Sequence, residues 1–338
     1  MTPAPTLTEV AQRAGVSVST ASRAFSSPER IGSQTLARVI AVAEDMGYRA
    51  STPTRKGAGL AAGTVAVVVP DIGNLVFAAF VRAAQAQGWH RRQMVLVADT
   101  GGSPDQEREV ITELLDRVGS LVVCSPRLPA SEIAELASGT PVVLVNRAST
   151  ECHCVLADSE TGLRQAVDYL GALNHRHFAY VQGSPQSWSN ERRVAAIQQL
   201  CEDRGIRLSL LGWQEESLAG GYAAAASVIA TDATAVIAHN DAVAIGVMNG
   251  VRAMGVSVPD ELSVIGIDDS PLARCASPAL TSISVPIAQA GVLSMDLLFR
   301  PTSRTRRIEE HLPTQLVVRD SSGVAPTRAT PAAGSDDQ

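Results

Sequence analysis

Four groups of polar residues stand at the ends of apolar, strand-sized runs: Asp71 and Asn74 after 64–69, Asn146 and Arg147 at the end of 142–146, Asn240 and Asp241 after 235–238, and Asp268 and Asp269 after 263–267. Carboxylates, amides and a guanidinium collected at strand ends suit a polyhydroxylated ligand, because every hydroxyl both donates and accepts and these groups answer it in pairs. The plainer reading is that strand-end Asp and Asn form turns and cap helices, as single instances often do. As a set they point to a pocket. Acid–base catalysis by Asp268 and Asp269 is a poorer reading. Neighbours in a strand-end turn point apart, and no nucleophile, histidine or metal set accompanies them; His175, His177 and His239 are scattered. Cys152-His153-Cys154 has the look of a metal fragment, yet alternate strand residues face opposite ways and no second ligand pair is in sight. Gly57-Ala-Gly59 followed by Gly63 imitates a dinucleotide fingerprint, but the last spacing is one too long and the glycines precede their strand. No catalytic residues, metal or cofactor are therefore expected.

A second chemical grouping lies near the N-terminus. Residues 6 to 25, TLTEVAQRAGVSVSTASRAF, read as two short amphipathic helices joined by a Gly-containing turn, the form of a helix-turn-helix. Thr6 and Glu9 make a capping box, and Leu7, Val10, Ala11 and Ala14 recur at i, i+3, i+4 and i+7 as one apolar stripe. Gly15 can end the first helix in the left-handed conformation and Ser17 can cap the second. There Ala21, Ala24 and Phe25 point inward, leaving Val18, Ser19, Ser22 and Arg23 outside. A third stripe, Leu36, Val39, Ile40 and Ala43, follows Ser33 and stops at Gly47. An outer face of small residues and one guanidinium allows close approach to base edges, where Arg can bond a guanine in two places. The same pattern also fits a small helical subdomain that never meets DNA.

From Gly63 onward apolar strands (64–69, 94–98, 120–124, 142–146, 178–182, 235–238 and 263–267) alternate with amphipathic helices (77–87, 105–118, 161–172, 191–204 and 242–254). Such alternation implies an α/β architecture of parallel sheets covered by helices, with ligands at the carboxyl ends of the strands. The spacing favours two similar lobes over one large sheet. With 338 residues and 45% hydrophobic composition the chain can bury a small core and a large one. Its apolar runs are strand-sized and no basic-then-apolar leader opens it, so neither a membrane span nor a signal peptide is expected and a cytoplasmic location is. Five cysteines at irregular spacing fit a reducing compartment. Residues 1 to 60 carry seven basic and four acidic side chains, a net of +3; since the whole chain is at −6, the rest carries −9. A basic head on an acidic body concentrates phosphate attraction at one end, but mildly, so two heads in a dimer would be needed for firm binding.

The segment from Thr6 to Tyr48, through VAQRAGVSVSTASRAF and VIAVAEDMGY, closely resembles the headpiece of the LacI/GalR family of transcriptional regulators, and the resemblance extends to about Ser322. It implies a three-helix headpiece on a two-lobed, periplasmic-binding-protein-like core. It makes Val18 and Ser19 the variable base-reading positions, Arg23 a base contact, and Ser17 and Thr20 phosphate contacts, with Ser22 on the same face. In the core, PDIGNLVF resembles the family's PDISNPFF and offers Asp71, Asn74 and Phe77, although Leu75 and Val76 replace a Pro and a Phe. VLVNR supports Asn146 and Arg147, and SNERRVAAI places the ligand-binding arginine at Arg193 with Arg192 as its competitor. HNDAVAIG and VIGIDDSPLAR supply Asn240 and Asp268. Trp188 and Trp213 are lower-ranked candidates for a ring that stacks on the ligand.

The resemblance thus divides the chain into a DNA-binding headpiece (1–50), a hinge linker (51–62) and a ligand-binding and dimerisation core (63–325); the tail (326–338), rich in Ala, Pro, Thr and Asp and without Leu heptads, is expected to be disordered. In the family the linker is a hinge helix that inserts a Leu into the minor groove. Here the matching position is Gly57, and Pro53, Gly57 and Gly59 oppose a helix by about 3 kcal/mol for an interior Pro and about 1 for each Gly. Leu60 can substitute only if the register shifts, so a weak hinge and a weak or absent kink are expected. The function implied is a homodimeric repressor of a pseudopalindromic operator, switched by a sugar-like effector; a purine or nucleoside is the alternative effector, and a sugar-binding module without DNA function the remoter one.

Overall fold

The computed structural model describes residues 6–26, 31–46, 63–300 and 307–327, which form two compact units, one small and N-terminal, the other large. The small unit contains α1 (Leu7–Ala14), α2 (Val18–Ser26) and α3 (Ser33–Asp45). The Thr6 hydroxyl accepts from the Glu9 N–H while the Glu9 carboxylate accepts from the Thr6 N–H at 2.7 Å, so both ends of the capping box are made. Gly15 ends α1 at φ 65°, a conformation that costs glycine nothing. The Ser17 hydroxyl accepts from the Thr20 N–H at 3.1 Å and starts α2. Val10, Ala11, Ala14, Ala21, Ala24, Val39 and Ala43 close a miniature core, against which Leu36 packs; Ile40, expected within it, is half-buried. The side chains of Leu7 and Phe25, and the stretch 47–62 with Gly57 and Leu60, lie outside the described residues.

The large unit runs β1 (Thr64–Val69), α4 (Leu75–His90), β2 (Met94–Asp99), α5 (Pro104–Leu115), β3 (Ser120–Cys124), α6 (Ala130–Leu136), β4 (Val142–Val145), β5 (His153–Asp158) and α7 (Ser159–Ala172). It continues with β6 (His177–Val181), α8 (Trp188–Asp203), β7 (Arg207–Leu211), α9 (Leu218–Ala230), β8 (Ala235–Ala238), α10 (Asp241–Ala253), β9 (Ser263–Asp268) and α11 (Pro271–Cys275). It ends with β10 (Thr281–Ser284), α12 (Ile287–Leu298), β11 (Glu309–Pro313) and β12 (Gln315–Val317). Two six-stranded sheets result, ordered β11-β5-β4-β3-β1-β2 and β12-β10-β9-β8-β6-β7. The chain therefore passes between lobes after β5, after β10 and again between β11 and β12.

The central strands β1, β3, β4 and β8 are buried at every position and apolar at nearly all, as strands covered on both faces must be. One lobe is cored by β-strand valines against Phe80 and Ala84 of α4 and Ala290 and Met295 of α12. The other has two cores, one under α7 and α8 and one under α9 and α10. One expectation about the sheets needs correction. The sheets are not wholly parallel: β12 runs antiparallel to β10, with Ser282 opposite Val317, because β11 runs parallel to β5 towards the cleft and one residue later the chain enters the second sheet in the same direction, away from the cleft that β10 runs towards. Strands β5, β7, β10, β11 and β12 add to the expected strands, and helices α6, α9, α11 and α12 lie outside the helical stretches singled out from the sequence. β7 is a half-exposed edge, β11 reads EEHLP, and α9, LAGGYAAAASVIA, is too uniformly small and apolar to show a stripe. The segment after β12 stays attached, with the Ala325 N–H donating to the Leu173 carbonyl at 2.9 Å; residues 328–338 lie outside the described set. Among the described residues no helix is long and apolar enough to cross a membrane.

Candidate functional site

The small unit presents Val18, Ser19 and Arg23 on the exposed face of α2, with Ser22 half-buried beside them. The Ser17 hydroxyl lies 2.9 Å from that of Ser19 and 2.8 Å from that of Thr20, which gathers three small hydroxyls at the helix N-terminus. Backbone N–H groups there suit a phosphate, and the guanidinium one turn further on suits a base edge.

In the large unit the carboxyl ends of both sheets meet at a cleft between the lobes. A space of about 200 Å³ is bordered by Asp71, Asn74, Glu216, Asn240, Asp241 and Asp268. An adjoining one shares Asn74, Glu216, Asn240 and Asp268 and adds Phe77, Ser125, Arg127, Asn146, Arg193 and His239. Local structure aims these groups. Asn74 and Asn240 cap α4 and α10, accepting from the N–H of Val76 and Val243, and Arg193 projects from the second turn of α8. Asn146 and Asp268 end β4 and β9 at φ 53° and 113°, positions strained for side-chain-bearing residues and held by the surrounding sheet.

Charge in the cleft is dense and buried. Arg193 Nη1 donates to the His239 carbonyl at 2.7 Å, and its Nη2 stands 3.7 Å from Asp268 Oδ1. Burial pushes the Asp268 carboxyl up to about 8; Arg193 opposes this, and the Asp241 and Glu216 carboxylates reinforce it. Arg127 Nη2 lies 3.3 Å from Glu216 Oε2, and Glu216 Oε1 lies 3.5 Å from His239 Nε2. Burial raises the Glu216 carboxyl, but His239, Arg127, the Ser184 N–H and Arg193 outweigh it and hold it below the usual range. Burial pushes His239 down to about 4, against the opposing pull of Glu216, so it is neutral at pH 7 and its charge acts on Glu216 only in the acid range where both titrate. Arg127 Nε, Arg193 Nε, His239 Nδ1 and Tyr180 Oη are buried without a hydrogen-bond partner in the protein. The cleft thus carries charged and hydrogen-bonding side chains whose capacity is not all used within the protein.

Residues 6–51 match the model described as bacterial regulatory proteins of the lacI family, and residues 167–322 match a periplasmic binding protein-like domain. The HTH-type transcriptional regulator AscG of Escherichia coli is 30% identical over 295 residues, covering 84% of this chain and 88% of AscG. This chain belongs to the LacI family. The LacI-family fold extends to the crystal structure of the lac repressor dimer bound to operator and the anti-inducer ONPF, at TM-score 0.72 and 23% identity over 95% of this chain and all of that one. A LacI-family regulator from Enterococcus faecium with bound ribose superposes at TM-score 0.69, with 26% identity over 77% of this chain and 99% of its own. The relatives are transcriptional regulators, not enzymes, and this LacI-family chain is a DNA-binding regulator of that kind.

Of the residues expected at the LacI-family ligand site, Asn74, Phe77, Asn146, Arg193, Asn240 and Asp268 come together in the cleft. Asp71 borders it but is exposed, its carboxylate accepting from the Gly73 N–H at 2.8 Å in a local turn. Arg147 is half-buried near Glu191 and Glu107 and does not line either space. Arg192 lies over the Trp188 ring at 5.9 Å, and Trp213 is exposed, so neither tryptophan stands in the cleft lining. Sequence reasoning missed Ser125, Arg127, Glu216 and His239. Ser125 and Arg127 follow the recognised run 120–124 and were open to the same strand-end argument; Glu216 follows β7, which left no such signal.

Proposed function

We propose that this regulator is a homodimeric repressor that reads a pseudopalindromic operator through α2 and is switched by a sugar or sugar derivative held between its lobes. The supporting observation is the buried ring of Arg127, Glu216, Arg193, Asp268 and His239, whose unpartnered N–H groups and closely spaced carboxylates match a ligand dense in hydroxyls. The lining favours a sugar over a purine, because Phe77 is its one carbocyclic aromatic ring and both tryptophans stand elsewhere. The ribose carried by the Enterococcus faecium relative agrees with that preference. Closure of the lobes on ligand would change the spacing of two headpieces and so the operator affinity.

The test is a thermal-shift screen of the full-length protein against monosaccharides, sugar acids, disaccharides and purines, followed by operator-fragment binding with and without the best hit. A stabilising sugar that alters DNA affinity is expected, and the sign distinguishes inducer from corepressor. Arg193→Ala should abolish the shift while leaving ligand-free DNA binding intact. Stabilisation by purines alone would overturn the sugar reading.

A further inference from the structure

We propose that Arg127 and Glu216 form a latch across the cleft, holding the two lobes together before any ligand arrives. Arg127 follows β3 in the first sheet and Glu216 follows β7 in the second, so their ion pair joins the lobes directly. Each partner is rooted in its own lobe. The Glu107 carboxylate, 1% exposed on α5, accepts from the backbone N–H of Arg127 at 2.9 Å and of Leu128 at 3.2 Å, which fixes the loop that carries the guanidinium. On the other side Glu216 Oε1 accepts from the Ser184 N–H at 3.1 Å, and the next residue, Ser217, caps α9.

Side-chain exposures of 6% and 19% leave the pair little screened by water. Its 3.3 and 3.4 Å separations nevertheless exceed the roughly 2.7–2.9 Å of a well-formed charge-assisted hydrogen bond. Parting the lobes would rehydrate both ions, which offsets much of the lost attraction. The pair thus biases closure without locking it, as a switch requires. Arg127 Nε and His239 Nδ1 stay unpartnered with the latch made, so a ligand can engage both without breaking it. A partly closed empty cleft then leaves the ligand less of the closure to drive.

The consequence for ligand response rests on the cleft being an effector site, but the latch itself is testable without ligand or DNA. Hydrogen exchange of the full-length protein would be followed at residues 125–129 in one lobe and 214–218 in the other, for Arg127→Gln, Glu216→Gln and the double variant. Each single change should speed exchange about tenfold in the lobe opposite the substitution, with the double variant no faster than the faster single one. Arg127→Lys, which keeps the charge, should exchange more slowly than Arg127→Gln. Changes confined to the substituted lobe, or effects that add in the double variant, would overturn the latch. Should Arg127→Gln fail to fold, the comparison of Glu216→Gln with Glu216→Asp at residues 125–129 makes the same decision.

Discussion

Arg23 and Asp268 illustrate how one residue's environment sets its role. Arg23 is exposed on α2 and contributes nothing to the helical core, so Arg23→Ala should leave thermal stability unchanged while weakening operator binding by about 1–3 kcal/mol, read by fluorescence anisotropy. Asp268 is the opposite case, buried and with its carboxyl pushed up to about 8. The folded protein keeps a proton there that the unfolded chain releases near pH 4, so this residue's contribution is full below pH 4 and is lost as pH rises towards 8. Asp268→Asn should therefore flatten the decline in melting temperature between pH 5 and 8, measured by calorimetry without ligand. A variant declining as steeply as the parent would contradict the buried, proton-retaining carboxyl.

At the scale of elements, α9 and α10 touch backbone to backbone. A Cβ at Gly246 would lie 2.2 Å from the Leu218 carbonyl oxygen and 2.8 Å from Gly221 Cα, contacts that no rotamer can relieve. Gly246→Ala should separate the helices and cost about 2 kcal/mol, seen as a lower urea midpoint. Because Asn240 caps α10, the same change should also weaken ligand binding. These glycines explain why α9 was illegible beforehand: its composition answers to close helix approach, not to an apolar stripe. Where strands were recognisable, the strand-end rule pointed to Asn146, Asn240 and Asp268, which line the cleft, and to Arg147, which does not; it gave nothing at Glu216 because β7 is a half-exposed edge.

For the whole molecule, the proposed dimer has a candidate face on β2, the edge strand of the first sheet, where Met94 is 60% and Leu96 37% exposed. An uncovered apolar edge is unfavourable in water and open to pairing. Replacing both by Glu should shift sedimentation towards monomer and lower operator affinity by more than Arg23→Ala does, since the second contact would no longer be tethered to the first. A dimer that persists unaltered would move the interface elsewhere.

What the amino-acid sequence determined by itself was local or periodic: the capping box at Thr6 and Glu9, the left-handed Gly15, the outward face of α2, and the alternation that implies two-lobed parallel sheets. Each depends on residues within a few turns of one another, where spacing alone dictates geometry. The tertiary structure decided which charges meet. That Arg193 and not Arg192 enters the cleft, that Arg127 faces Glu216 across 89 positions of chain, and that Arg147 stands apart depend on how loops from two sheets converge. Burial decided the rest, because the same carboxyl that is an ordinary acid in a turn becomes a proton-retaining group once two lobes exclude water from it.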